Sequence, residues 1–309
     1  EEKPIKDINK NERDNSYIAQ LNKLEYLKDN IFYVFDKTLN FFEYENYSFK
    51  SILSYDLSKF RIKSLHPAKY SNKIFINFDF KKNIKILEYD LLNKSIYLSK
   101  KEIKEPRFGY PRHFYKCLDN KNGNILTQEI KGIIVWKNDN KNNFIKELTI
   151  PNAIQSFYDI NESLFCFQDR DYKINFFDSE NYNLKETISY KAKVNLIGTI
   201  NNESIVFSDF RTNEIFIVDA IYLEIVHVIE YNNYYPFIKL KNNELLLIDI
   251  EQNNNLIIEK KTFDPKEKFF NNKEIIKKTI DMSYISNTLI TDNGYVVLTG
   301  FKSVIVLNV

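Results

Sequence analysis

Residues 105–115, EPRFGYPRHFY, bring Arg107, Tyr110, Arg112 and His113 into one short segment that two prolines and a glycine stiffen. Similar mixtures return further on. SYKAKVN contributes Tyr190, Lys191 and Lys193, EYNNYYPFI contributes Tyr231, Tyr234 and Tyr235, and IDMSYIS contributes Met282 and Tyr284. Phe80, Lys81, Arg170, Phe210, Arg211, Phe301 and Lys302 sit in a second set of short segments. Arginine and tyrosine combine a large contact area with polar pairing, which is the chemistry of a protein-binding hot spot. Arg107, Tyr110, Arg112, His113, Tyr190, Lys193, Arg211, Tyr234, Tyr235 and Tyr284 are therefore the candidate partner-binding residues.

Groups suited to covalent or acid–base chemistry are sparse. The three histidines, His66, His113 and His227, are scattered, and none has the companions of a metal centre. There is no glycine-rich phosphate loop, no nucleophile elbow and no calcium-loop spacing. Neither a cofactor nor a metal is expected. Cys117 and Cys166 lie in different predicted strands and read as two buried free thiols, which favours a reducing, cytoplasmic setting.

The bulk composition narrows the partners. Forty-four basic residues against 42 acidic ones leave a net charge of +2, too little for a global polyanion-binding field. Nucleic acid is thus an unfavoured partner. No apolar run reaches the length of a membrane span, and the charged start, EEKPIKDINKNERDN, is unlike a signal peptide. The absent initiator Met fits a piece of a longer chain. Only 6 glycines accompany 21 Tyr, 25 Phe and abundant Asn, so turns with positive φ are expected to rely on Asn.

What positions the candidate residues is a repeat. LFCFQDRDYKINFFD, 164–178, returns as IVFSDFRTNEIFIVD, 205–219. Apolar runs after turn signals begin at Ile31, Ile74, Ile125, Leu164, Ile205, Leu245 and Tyr295. A second run follows each, near Leu39, Ile84, Ile133, Ile174, Ile215, Leu256 and Val304. Seven units of about forty residues, each reading as four short strands, predict an all-β, seven-bladed β-propeller of four-stranded antiparallel blades. The last unit lacks its fourth strand, and residues 1–10, with KPIKDI, are expected to supply it and close the ring. Residues 1–309 then form a single domain, because no linker interrupts the repeat.

The ends of the third strands read Phe42-Glu43, Leu87-Glu88, Trp136-Lys137, Phe177-Asp178, Val218-Asp219, Ile258-Glu259 and Leu307-Asn308. This register resembles the Trp-Asp position of the WD40 repeat family. Asp36, Asp79, Asp169, Asp209 and Asp249 match the acidic residue which that family carries between its second and third strands. The family's Gly-His pair is absent from every unit, so its buried His-Asp network does not transfer. Each Asp retains the local task of accepting backbone N–H groups in its turn.

The resemblance implies a non-catalytic protein-interaction scaffold. Its partner would be a protein or extended peptide carrying acidic or aromatic residues, bound on the loop face. Two alternatives stand beside it. One is a carbohydrate-binding or hydrolytic propeller, which needs acidic residues converging on the central channel. The other is a nucleic-acid binder that stacks bases on exposed aromatics.

Overall fold

The computed structural model describes residues 24–28, 31–45, 48–60, 62–78, 83–104, 116–129, 132–139, 143–151, 156–209, 211–231, 237–251, 254–280, 282, 284–291, 293–300 and 304–308. Every regular element among them is a strand. Blade one holds β1 to β4 (Glu25–Lys28, Ile31–Phe35, Thr38–Glu45, Ser48–Asp56). Blade two holds β5 to β8 (Ile62–Pro67, Lys73–Phe78, Asn83–Asp90, Ser95–Lys104). Blade three holds β9 to β12 (Lys116–Asp119, Ile125–Glu129, Gly132–Asp139, Asn143–Pro151). Blade four holds β13 to β16 (Ser156–Asn161, Leu164–Gln168, Lys173–Asp178, Leu184–Ser189). Blade five holds β17 to β20 (Asn195–Ile200, Ser204–Asp209, Glu214–Asp219, Ile225–Glu230). Blade six holds β21 to β24 (Phe237–Lys241, Glu244–Glu251, Asn255–Asp264, Phe269–Thr279). Blade seven holds β25 to β27 (Asn287–Ile290, Tyr295–Thr299, Val304–Asn308).

Within each blade the strands pair in chain order and antiparallel, the blade pattern of a seven-bladed β-propeller. Among the described residues blade seven has three strands. The expected closing strand, residues 1–10, lies outside the described residues. One pairing departs from the simple meander. The outer strands β8 and β12 meet in parallel at Ile103 and Phe144, joining blades two and three into one eight-stranded sheet.

Contacts gather into two units. One contains blades two to five, Lys59–Glu230, and the other contains blades one, six and seven. In the first unit, the first strands β5 and β9 lie side by side, as do β13 and β17. In the second, β21 neighbours β25, which neighbours β1.

The period-two alternation of strands explains the many phenylalanines. In β14, Phe165 and Phe167 turn one way, to pack with Phe157, Phe177, Ile133 and Val135 of blades three and four. Leu164 and Cys166 turn the other way and join Phe176, Phe207 and Phe216 between blades four and five. Rings stack within these layers, with centroids 5.2 Å apart for Phe167–Phe177 and for Phe207–Phe216. Blade four is thus buried on both faces, and aromatics fill the wide gap between twisted sheets.

Asn takes only some of the turns that scarce Gly leaves open, since Lys94, Tyr172, Tyr182, Leu223 and Lys268 also have positive φ. Asn201, Asn202, Asn213, Asn242 and Asn254 all have positive φ. Gly132 stands where no side chain fits. At Gly132 (φ 151°), a Cβ would overlap the carbonyl oxygen of Ile150 on the adjacent strand.

Candidate partner-binding surface

An antiparallel meander puts its turns at two ends. The turn between second and third strands and the connection to the next blade share one end, here termed upper. The other two turns share the lower end.

At the upper end of blades four and five, residues 190–194 connect β16 to β17, and a buried glutamine fixes their path. Gln168 ends β14 and is 1% exposed. Its Nε2 donates to the carbonyls of Tyr172 (3.1 Å) and Ala192 (2.8 Å), and its Oε1 accepts from the Val194 N–H (3.0 Å). One side chain thereby ties the Asp169–Tyr172 turn to the connecting loop.

The same loop is held from the next blade. Tyr190 stacks on Phe216, with ring centroids 4.3 Å apart. Its hydroxyl donates to Glu214 Oε2 at 2.7 Å, and Lys191 Nζ lies 2.5 Å from Glu214 Oε1. Burial opposes the charge on Glu214, but hydrogen bonds from Lys191, Tyr190 and Thr212 outweigh it and hold the carboxyl below its usual range. Burial, then the bond to Glu214, raises the Tyr190 hydroxyl above its ordinary value. The loop is therefore built in a single shape rather than left to its sequence.

On this frame Lys193 and Arg211 are exposed and Tyr190 is half-buried. The Arg211 N–H donates to Asp209 Oδ1 at 2.9 Å, so that Asp fixes the turn closed by Glu214. Asp169 does the same in blade four, accepting from Asp171 and Lys173 N–H groups at 2.9 Å each. Exposed cations at this end are Arg170, Lys173, Lys191, Lys193 and Arg211, against two exposed acids, Asp171 and Glu230. Glu214 and Asp209 are buried. A chain of nearly balanced charge thus presents a locally basic, tyrosine-bearing surface.

Of the sequence candidates, Tyr190, Lys193 and Arg211 come together here. Tyr284 belongs to the other unit, on the connection between blades six and seven, and is 66% exposed. Arg107, Tyr110, Arg112, His113, Tyr234 and Tyr235 lie outside the described residues. Sequence reasoning missed Gln168 and Glu214. Their only signal was a polar residue at the edge of an otherwise apolar strand, LFCFQ and EIFIV.

The lower end carries the acids that a channel-based enzyme would need. Asp119, at the end of β9, accepts from the Lys69 N–H (2.7 Å), the Tyr70 N–H (3.2 Å) and Ser71 Oγ (2.9 Å). Asp159, on β13, accepts from Lys69 Nζ (2.5 Å) and the Tyr70 hydroxyl (3.1 Å). Burial raises the Asp159 pKa more than Lys69 and Tyr70 lower it. Both carboxylates are engaged in holding the first turn of blade two against the first strands of blades three and four. His66 bonds its own strand neighbour, Ser64 Oγ, at 2.9 Å. Cys117 and Cys166 are buried free thiols, and burial raises the Cys117 pKa. No group of metal-binding side chains occurs among the described residues. Among the same residues, no helix is long and apolar enough to cross a membrane.

The trace of the chain is similar to several solved propellers. A chain of the mitotic checkpoint complex matches at 11% identity with a TM-score of 0.63, covering 93% of this chain and 90% of that one. The WD40 β-propeller domain of Doa1 matches at 12% identity with a TM-score of 0.51, covering 92% and 90%. Streptogramin B lyase matches at 11% identity with a TM-score of 0.56, covering 92% of each. No protein-family model and no curated protein matches the chain in sequence. The similarity establishes the fold, and because it extends to a lyase, the fold alone does not choose between binding and catalysis.

Proposed function

We propose that this chain is a non-catalytic, intracellular protein-interaction scaffold that binds an acidic protein segment at the upper end of blades four and five. The observation that carries this reading is the loop at 190–194, pinned by Gln168 and Glu214 so that Lys193 stands exposed beside Tyr190. A preorganised loop loses little entropy on binding, so its contacts go into affinity. Tyr190 and Arg211 have the character of interface anchors.

Two further observations support the choice. The lower-end acids Asp119 and Asp159 already have Lys69, Tyr70 and Ser71 as partners, which is the arrangement of a structural tie. The two reduced, buried thiols suit a reducing compartment.

Affinity capture from the source organism's lysate tests the reading, with the native chain compared to a Lys193→Glu/Arg211→Glu variant. Circular dichroism and melting establish that the variant folds. The expected result is a protein retained by the native chain and lost by the folded variant. Identical retention by both overturns the assignment of this surface. Retention of nucleic acid instead, with affinity falling steeply as salt rises, would favour the stacking alternative.

A further inference from the structure

The turns between third and fourth strands in blades two, four, five and six are copies of one device. Each opens on an Asp whose Oδ1 accepts N–H groups at the tip. Asp90 accepts from Asn93 (3.1 Å), and Asp178 from Glu180 and Asn181 (2.8 and 3.0 Å). Asp219 accepts from Ile221 and Tyr222 (2.8 and 3.0 Å), and Asp264 from Lys266 and Glu267 (2.9 and 3.3 Å). Each ends on a residue with positive φ: Lys94, Tyr182, Leu223 and Lys268, at 49°, 62°, 56° and 49°.

The four copies serve as controls for one another. Glu180-Asn181 and Lys266-Glu267 occupy the tip in blades four and six, so the turn itself asks for nothing apolar, and in blade two Leu92-Asn93 places a single apolar side chain there, 95% exposed. Of the four, blade five places an adjacent pair there, Ile221 and Tyr222, 71% and 72% exposed. The pair costs solubility and contributes no packing, while Asp219 and buried Leu223 hold it rigid.

The surroundings state the kind of partner. The Ala220 N–H donates to the Glu203 carbonyl at 2.8 Å, bringing the first turn of blade five alongside. Every charged residue on these two turns is acidic: Glu203, Asp219 and Glu224. Glu203 and Glu224 are exposed and form no ion pair among the described residues. An acidic rim disfavours an anionic bilayer, and it disfavours a second copy, which would present the same sign in a two-fold contact.

We propose that Ile221 and Tyr222 form a second docking surface, at the lower end of blade five, for a protein whose apolar pocket is rimmed by Lys or Arg. It is independent of the upper surface and opposite to it in charge. Blade five then links a partner with an acidic segment to one with a basic rim.

The test replaces Tyr222 in the full chain with the photocrosslinking residue p-benzoylphenylalanine and irradiates it in the source lysate. The crosslinked protein is identified, purified and titrated against variants. The expected result is a crosslink on an apolar surface flanked by Lys or Arg. Affinity should fall about tenfold or more in Ile221→Ser/Tyr222→Ser. It should fall less in Glu203→Lys/Glu224→Lys, and most at low salt. Both variants should melt as the native chain does, since the changed side chains are exposed. The proposal is overturned by the absence of a crosslink or by affinity indifferent to the Ile221/Tyr222 pair. It is equally overturned by a dimer in sedimentation that the pair variant abolishes, or by flotation with vesicles of phosphatidylcholine and phosphatidylserine.

Discussion

Lys69 on blade two reaches Asp159 on blade four, Nζ to Oδ2 2.5 Å, passing over blade three, whose Asp119 holds the backbone of the same turn. One turn thus ties three blades. Because burial raises the folded-state pKa of Asp159 above its ordinary 3.8, the folded chain takes up this proton before the unfolded chain does. The contribution of Asp159 is therefore fully present below pH 3.8 and is lost as pH rises through the raised value. Urea unfolding between pH 4 and 7 should show that decline in the native chain, and Asp159→Asn should flatten it. An unchanged slope in the variant would assign the pH dependence to other groups.

Asp119 should behave differently. It is 4% exposed and accepts hydrogen bonds from three donors, two of them backbone N–H groups. Asp119→Ala leaves those donors unmatched in a buried turn and should cost roughly 2–3 kcal/mol in urea unfolding. A loss below about 0.5 kcal/mol would mean the turn re-forms its bonds with water.

Gln168 links stability to the upper surface. Gln168→Ala removes partners from Ala192, Tyr172 and Val194 and should cost roughly 2 kcal/mol. It should also weaken binding at Lys193 without touching a partner, since the loop must then be ordered on association. Stability loss with undiminished partner capture would detach the loop from the binding surface.

The single tryptophan gives a reporter for blade three. Trp136 is 1% exposed, and its Nε1 donates to Thr127 Oγ1 at 2.8 Å. Thr127→Val keeps the shape and leaves the indole N–H unmatched, at a cost of about 1–3 kcal/mol. Tryptophan emission followed through urea titration reads that cost directly.

Gly132→Ala should be more damaging than its size suggests. The new methyl would meet the Ile150 carbonyl at a backbone angle that favours glycine, so a loss of about 2 kcal/mol or more is expected. A melting temperature equal to that of the native chain would show that β12 can yield there.

The strands were legible because alternation and turn residues act locally. Expected onsets such as Ile125, Leu164 and Tyr295 are the first residues of β10, β14 and β26. Turn chemistry was legible only where hairpin length follows the repeat. In blades four and five the acids expected between second and third strands, Asp169 and Asp209, do accept backbone N–H groups in their turns. In blade six the hairpin is longer, β22 running to Glu251, so Asp249 lies within the strand and not in the turn where it was expected. A longer ladder moves the turn without altering the alternation, so periodicity alone does not reveal it. The upper surface was half visible. Tyr190, Lys193 and Arg211 stand out by type, whereas Gln168 and Glu214 acquire meaning only when two blades meet.

The parallel contact of Ile103 with Phe144 has a consequence for the outer edges of blades two and three. An outermost strand offers a row of unmatched amides that a foreign strand can copy. Where β8 and β12 meet, each covers part of the other's border, and recruitment from that side is blocked by the chain's own backbone. Amide exchange in these two strands should slow together, as though two neighbouring blades breathed with one rhythm.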